Sequence, residues 1–227
     1  MTIQLHSPTT NTLYSLTLLY IYPQTAFLAL SAVSAQPVPL PNSYPGFRWG
    51  NINAPVLIEG FLDLLCPDCS GTWPTVKEVL NHYGPTNVSF IFHVFPLPYH
   101  TWAFHAAQGA QVVRSLNASD AGFFAYADLI FNNQGNFYST TMTAEQIIDA
   151  YATLVAANLP YSKSDFTAGM NDPNLNELAR IHWKFGTSRY TTGTPHFLCN
   201  GLPVDDQVPG DGTTAPWYQM IDPLLGN

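Results

Sequence analysis

Two cysteines with two residues between them, Cys66-Pro67-Asp68-Cys69, stand where a short apolar run meets an amphipathic stretch, and this junction constrains the chain more than any other feature. The preceding run, Val56-Leu57-Ile58-Glu59-Gly60-Phe61-Leu62, is nearly continuous in apolar residues, the pattern of a strand covered on both faces. After Cys69, the residues Val76, Val79, Leu80 and Tyr83 recur at i, i+3, i+4 and i+7, and Gly84-Pro85 closes the segment. That spacing predicts a helix with one buried face and a defined stop. Residues 88–95, rich in Val, Ile and Phe, then read as a second strand. Strand, cysteine pair, helix and strand is the order of a βαβ unit.

The rest of the chain is read against that unit. Its 227 residues, 46% hydrophobic and 10% charged, suffice for one sizeable core or two modest ones, which excludes intrinsic disorder and a coiled coil. A net charge of −8 and the lack of any basic run argue against a nucleic-acid or anionic-membrane surface. The first 35 residues hold no charged side chain, carry an apolar stretch over 13–33, and end in Val33-Ser34-Ala35 before Gln36-Pro37. This pattern predicts a secretory signal peptide over 1–35, although it lacks a basic start and Pro23-Gln24 interrupts the apolar run. It implies the secretory pathway, ER lumen or extracellular, with no stable membrane insertion after cleavage. The Asn-x-Ser triplets at Asn87 and Asn117 agree with that route. Residues 36–53 read as a lead-in with one short edge strand at Phe47-Arg48-Trp49, and 54–227 as the folded domain.

Beyond His100 the pattern turns helical, with helices expected over 101–116, 120–132, 143–158 and 174–185. Thr143-Ala144-Glu145-Gln146 has the spacing of a capping box, and Gly186 reads as the stop of the fourth helix. A strand at His196 to Cys199, the Asn200-Gly201 turn and a return through Leu202-Pro203-Val204 make a hairpin. Residues 217–225 read as a closing helix.

Three cysteines are too few for a disulfide scaffold, so the close pair points to chemistry. A thiolate is the nucleophile of disulfide exchange, and its pKa falls at a helix N-terminus, where unpaired N–H groups favour negative charge. The order of elements puts Cys66 there. Cys66 is therefore assigned as the attacking sulfur and Cys69 as the one that resolves the mixed disulfide. Pro67 suits the first helical turn. The Asp68 charge suits the helix dipole but opposes a neighbouring thiolate.

Pro74, five residues after Cys69 and inside the expected helix, and Gly193-Thr194-Pro195 before an apolar strand add two further marks. With these, the chain resembles the thioredoxin superfamily, and the long helical stretch is similar to the insertion of its DsbA-like branch. Phe95-Pro96-Leu97-Pro98-Tyr99-His100 and Thr192-Gly193-Thr194-Pro195-His196-Phe197-Leu198 also look like stretches of that branch. The pattern from Glu59 to Asp68 with Pro96 to His100 resembles a group of eukaryotic thioredoxin-like proteins, known in plants, in which the second cysteine can be Ser. The resemblance implies an α/β, thioredoxin-like fold with a central mixed sheet and an inserted helical subdomain over about 100–172. It implies that Cys66 and Cys69 are the redox pair, and that Thr194 and Pro195 form a cis-proline loop presenting backbone to an extended substrate. It also implies an acidic residue six positions before the first cysteine; that position is Gly60, and Glu59 beside it belongs on the opposite face of the strand. His196 is either a modulator of the sulfur or a strand-packing residue.

Other groupings have plainer readings. Cys66 and Cys69 with His100 and His105 have zinc-like pair spacings but too long a gap, so no metal is expected. Cys199 reads as a buried core residue, and Asp63 and Asp68 as turn and first-turn residues. The leading function is thiol-disulfide oxidoreduction on cysteine-containing proteins or peptides, with the Cys66/Cys69 pair as the redox group, no other cofactor, and a recycling oxidant or reductant as partner. The alternatives are a redox-inactive peptide-binding or chaperone-like module, and a small-molecule thiol enzyme such as a glutathione-dependent isomerase or peroxidase.

Overall fold

The computed structural model describes residues 3–5, 14–16, 41, 43–117, 119–208, 210 and 212–226. The chain divides into two units, Met1–Pro37 and Val38–Asn227. In the first, two short strands, β1 (Ile3–Leu5) and β2 (Tyr14–Leu16), pair antiparallel. The expected leader, with its cleavage position after Ala35, otherwise falls outside the described residues.

The second unit is built on a mixed sheet of five strands. They are β3 (Phe47–Trp49), β4 (Val56–Leu62), β5 (Val88–Val94), β6 (His196–Cys199) and β7 (Leu202–Pro203), in the spatial order β3-β5-β4-β6-β7. Only β4 and β5 run parallel, in unbroken register from Val56 opposite Val88 to Leu62 opposite Val94. Parallel neighbours need a crossover, and helix α1 (Pro67–Tyr83) supplies it, running without interruption through Pro74. The short aromatic stretch at Phe47 is the edge strand, antiparallel to β5. In the β6–β7 hairpin both turn residues have positive φ, Asn200 at 47° and Gly201 at 84°, as a two-residue primed turn requires. The Asn200 Oδ1 accepts the Leu57 N–H at 2.8 Å, which ties the hairpin back to β4.

Burial explains why β4 is apolar on both sides. Val56, Ile58 and Leu62 join the large core with Trp73 and Val76 of α1, whereas Phe61 packs with Phe95, Leu97 and Leu198 in a separate cluster on the other face. Between β5 and β6 the chain is helical: α2 (Ala103–Asn117), α3 (Asp120–Phe131), a 3-10 turn (Gln134–Phe137), α4 (Ala144–Asn158), α5 (Lys163–Met170) and α6 (Pro173–Ser188). Helix α7 (Ala215–Leu225) closes the chain, its Trp217 edge-on to Phe197 with centroids 5.0 Å apart.

Two departures from the sequence reading have local causes. Helix α5 was not expected, because its short span buries only Phe166 and Met170 and shows no periodicity; it forms behind a Ser162 cap whose Oγ accepts the Asp165 N–H at 3.0 Å. The fourth expected helix does not stop at Gly186 but continues to Ser188. Gly186 is there for closeness: a Cβ at that position would lie 2.4 Å from the Phe95 ring. The helical block therefore reaches past residue 172 and packs α6 on the far face of the sheet, with Phe185 over His93 at 5.0 Å between centroids.

The insertion is joined to the sheet by an aromatic stack, Phe123 of α3 on Phe47 of β3 at 3.6 Å and 8°, and edge-on to Phe92 of β5 at 4.9 Å. Phe123→Ala removes a fully buried ring from that junction. It is expected to cost about 3–5 kcal/mol of unfolding free energy in urea, and a loss below about 1 kcal/mol would show that the stack contributes little.

Candidate active site

Cys66 is the N-cap residue of α1, with extended backbone (φ −78°, ψ 124°) and no side-chain oxygen capping the helix. The orphan N–H groups of the first turn are thus left for its sulfur. Pro67, at the first helical position, has no N–H to waste, and Asp68 follows it on the exposed surface. Cys69 is fully buried, and Cys66 is 4% exposed. Both are free thiols.

The two sulfurs are electrostatically unlike. The Cys66 thiol is brought down to about 6, chiefly by a hydrogen bond from the Cys69 thiol; burial opposes this, and the Cys69 N–H, Thr194 and the Asp68 N–H assist. The Cys69 thiol is pushed well above the ordinary range, first by burial and then by the neighbouring Cys66 sulfur. One cysteine is therefore a thiolate near neutral pH while the other remains a proton donor to it.

Thr194 and Pro195, remote in sequence, lie beside this pair. The Thr194–Pro195 peptide is cis, and the Cys66 Sγ is 3.5 Å from the Thr194 carbonyl oxygen. The Thr194 hydroxyl is buried with no oxygen or nitrogen partner among the described residues. Cys66, Cys69, Thr194 and Pro195 thus converge. His196 does not join them: its Nδ1 bonds the Asp205 carboxylate at 2.5 Å, and its ring tilts over Phe61 with centroids 5.6 Å apart. Strand alternation sends it to the Phe61 side of the sheet, so its place is with Asp205 and not with the sulfur.

Glu59 also belongs to that other side. The β4–β5 register carries no bulge, so Gly60 keeps the position on the α1 face, where a Cβ would meet the Phe90 ring and Leu62 at 2.8 Å. Glu59 is buried, accepting the Tyr44 O–H at 2.6 Å and lying 3.1 Å from His93 Nε2. Burial pushes the His93 ring down, against the hydrogen bond and charge of Glu59, which act to raise it.

Two further residues, Asp63 and Gln134, bear on the cysteine loop. Asp63, which its sequence context marks only as a turn residue, is completely buried. Its carbonyl accepts the Cys66 N–H at 3.1 Å, and its Oδ1 accepts the Leu65 N–H at 2.8 Å. Its Oδ2 accepts the Leu97 N–H at 2.9 Å and meets His100 Nδ1 at 2.6 Å. Burial raises its carboxyl despite these donors. Gln134, on the 3-10 turn of the insertion, is the second. Its Nε2 donates to the carbonyls of Leu64 at 2.9 Å and Cys66 at 3.0 Å, and its Oε1 accepts the Tyr138 O–H at 2.9 Å. A lone Gln in a polar stretch carries no periodic signal, whereas an Asp three residues before the pair, beside an apolar strand, was a signal available to be read.

With His100 engaged by Asp63, the two cysteines and the two histidines do not form a shared cluster; among the described residues no group of three or more His, Cys, Asp or Glu is placed to hold a metal ion. Cys199 sits apart in β6 opposite Ile58, where burial pushes its thiol up. No helix among the described residues is long and apolar enough to cross a membrane.

Comparison with known proteins gives one family. The model of a family described as Thioredoxin matches residues 43–215. No curated protein sequence matches the chain. Among solved structures, a candidate protein-disulfide isomerase from Pseudomonas syringae superposes with a TM-score of 0.67 at 17% identity, over 78% of this chain and 97% of that one. BdbD from Bacillus subtilis, in its oxidised form, gives 0.64 at 14% identity over 80% and 94%. The thiol-disulfide exchange protein α-DsbA2 from Wolbachia pipientis gives 0.59 at 18% identity over 80% and 87%.

The pKa split predicts how the reduced protein reacts. Alkylation of Cys66 by iodoacetamide should rise with pH around a midpoint near 6, the value its surroundings set. In Cys69→Ala, which loses the largest stabilising hydrogen bond, the midpoint should move up toward the ordinary thiol value of about 8.5. A wild-type midpoint already near about 8.5 would contradict the assignment of Cys66 as the activated thiol.

Proposed function

The chain belongs to the thioredoxin family, with the mixed sheet and helical insertion of its DsbA-like members, and on that premise we propose that it exchanges disulfides with cysteine-containing proteins or peptides through Cys66 and Cys69. The observation that carries this reading is the division of labour between the two sulfurs, one lowered to about 6 at the helix start and the other buried and raised.

In the proposed cycle the Cys66 thiolate attacks one sulfur of a substrate disulfide, forming a mixed disulfide and releasing the other substrate sulfur as a thiolate. Cys69 gives up its proton, and its sulfur attacks Cys66 Sγ. The bond to the substrate breaks, the second substrate thiolate leaves, and the Cys66–Cys69 disulfide remains. Two electrons have passed to the substrate; the reverse sequence oxidises a substrate dithiol. A recycling oxidant or reductant then resets the pair, which is itself the redox group, with no other cofactor. The Thr194 carbonyl, 3.5 Å from the attacking sulfur, is placed to accept a backbone N–H from an extended substrate and so present its cysteine to Cys66. The uncharged, apolar leader supports action in the secretory pathway.

Removing the resolving sulfur should halt the cycle halfway. Cys69→Ala, incubated with disulfide-containing client proteins, should accumulate mixed disulfides that disappear on reduction and are absent from Cys66→Ala/Cys69→Ala. Failure to accumulate them, in a folded variant, would replace disulfide exchange with the reading of a peptide-binding module.

A further inference from the structure

A pocket of about 460 Å³, with neither Cys66 nor Cys69 in its lining, lies between the loop that follows β5 and one face of α6. Its walls are Pro96, Leu97, Pro98, Phe104 and Trp183, all apolar, and the volume lies in the range of small-ligand sites. Arg180, Trp183 and Lys184 line it from α6, and the i, i+3, i+4 spacing puts them on one stripe. Trp183 is 40% exposed, with its ring stacked over Phe95 at 6.1 Å and 11°.

Two basic side chains line this one pocket in a chain of net charge −8. Of the 7 basic residues, Lys77, Arg114 and Lys163 form ion pairs with Asp128, Asp120 and Asp149. Arg48 and Arg189 donate to Ser89 and to Tyr44. Like these two, Arg180 and Lys184 form no ion pair among the described residues, and of the four it is Arg180 and Lys184 that line the pocket together. Arg180 commits its Nε to Asn176 at 2.8 Å, which leaves the terminal nitrogens of its fork unengaged by protein among the described residues. His100, on the opposite wall, commits Nδ1 to Asp63 and leaves its second nitrogen without a protein partner among the described residues. An aromatic, largely apolar floor beside two unpaired cations calls for an anion with an apolar body, and a planar fork matches a carboxylate.

We propose that this pocket binds an aromatic carboxylate, its ring against Trp183 and Phe104 and its carboxylate on Arg180 and Lys184. Two sources share that chemistry, a free aromatic acid and the C-terminal aromatic residue of a peptide. The pocket also shares a wall with the redox loop, since the Leu97 N–H and His100 Nδ1 both meet the Asp63 carboxylate that orders Leu65.

The test is calorimetric titration of the full chain with 2-naphthoate, with a short peptide ending in Phe as free acid, with the same peptide amidated, and with inorganic phosphate. Saturable binding of naphthoate alone assigns the pocket to free acids, and binding of the free-acid peptide but not its amide assigns it to chain ends. In either case phosphate, having no apolar body, should not compete, and Arg180→Gln/Lys184→Gln should bind at least about tenfold more weakly. Trp183→Ala should weaken binding while leaving circular dichroism unchanged. Absence of saturable binding by both naphthoate and the free-acid peptide, or equal binding by the double variant, would overturn the proposal.

Discussion

Helix α1 begins at Pro67 with its first N–H groups unpaired by any carbonyl, and the sulfur of Cys66 stands where a capping oxygen would otherwise sit. A thiolate there receives the charge-assisted bonds that the helix start must find somewhere, and the buried Cys69 thiol adds the strongest of them. Everything that fixes this meeting of strand end and helix start serves the same sulfur. The parallel β4–β5 pair, buried on both faces, sets where the strand ends, and the α1 crossover fixes where the helix begins.

Polar contacts then lock the loop from two directions. Asp63 folds its backbone and both carboxylate oxygens around the turn that delivers Cys66, and ties the turn to Leu97 and His100 of the next crossover. Gln134 reaches in from the helical insertion to hold the carbonyls of Leu64 and Cys66. Such groups stabilise only when every partner is present, because a buried carbonyl or carboxylate left alone costs about 1–3 kcal/mol or more. The insertion is thus joined to the sheet by the Phe47–Phe123 stack and to the cysteine loop by Gln134.

Much of this was legible before the structure. Strands 56–62 and 196–199 coincide with β4 and β6, because continuous apolar runs bounded by turn residues have few other uses in a chain this size. The capping box at Thr143 and the Asn200-Gly201 turn are local signals, and local geometry obeyed them. What sequence periodicity could not supply was long-range pairing. Nothing in residues 185–187 tells that Gly186 makes room for Phe95 instead of ending a helix. His196 lies next to Pro195 in sequence, but strand alternation turns it to Asp205. Glu59 is one residue from the position the resemblance asked for, and the unbroken register commits it to Tyr44 and His93.

The central claim is that Cys66 and Cys69 interconvert between dithiol and disulfide with a poise set by the Cys66 thiolate. Equilibrating the purified chain in glutathione buffers and counting free thiols measures it directly. Stabilising one thiolate favours the reduced form, and a thiol near 6 lies between the attacking cysteines of DsbA, at about 3.5, and thioredoxin, at about 7. The account therefore predicts a single two-electron transition with a potential between about −120 and −270 mV. A chain in which no disulfide forms between these two residues at any poise would contradict it.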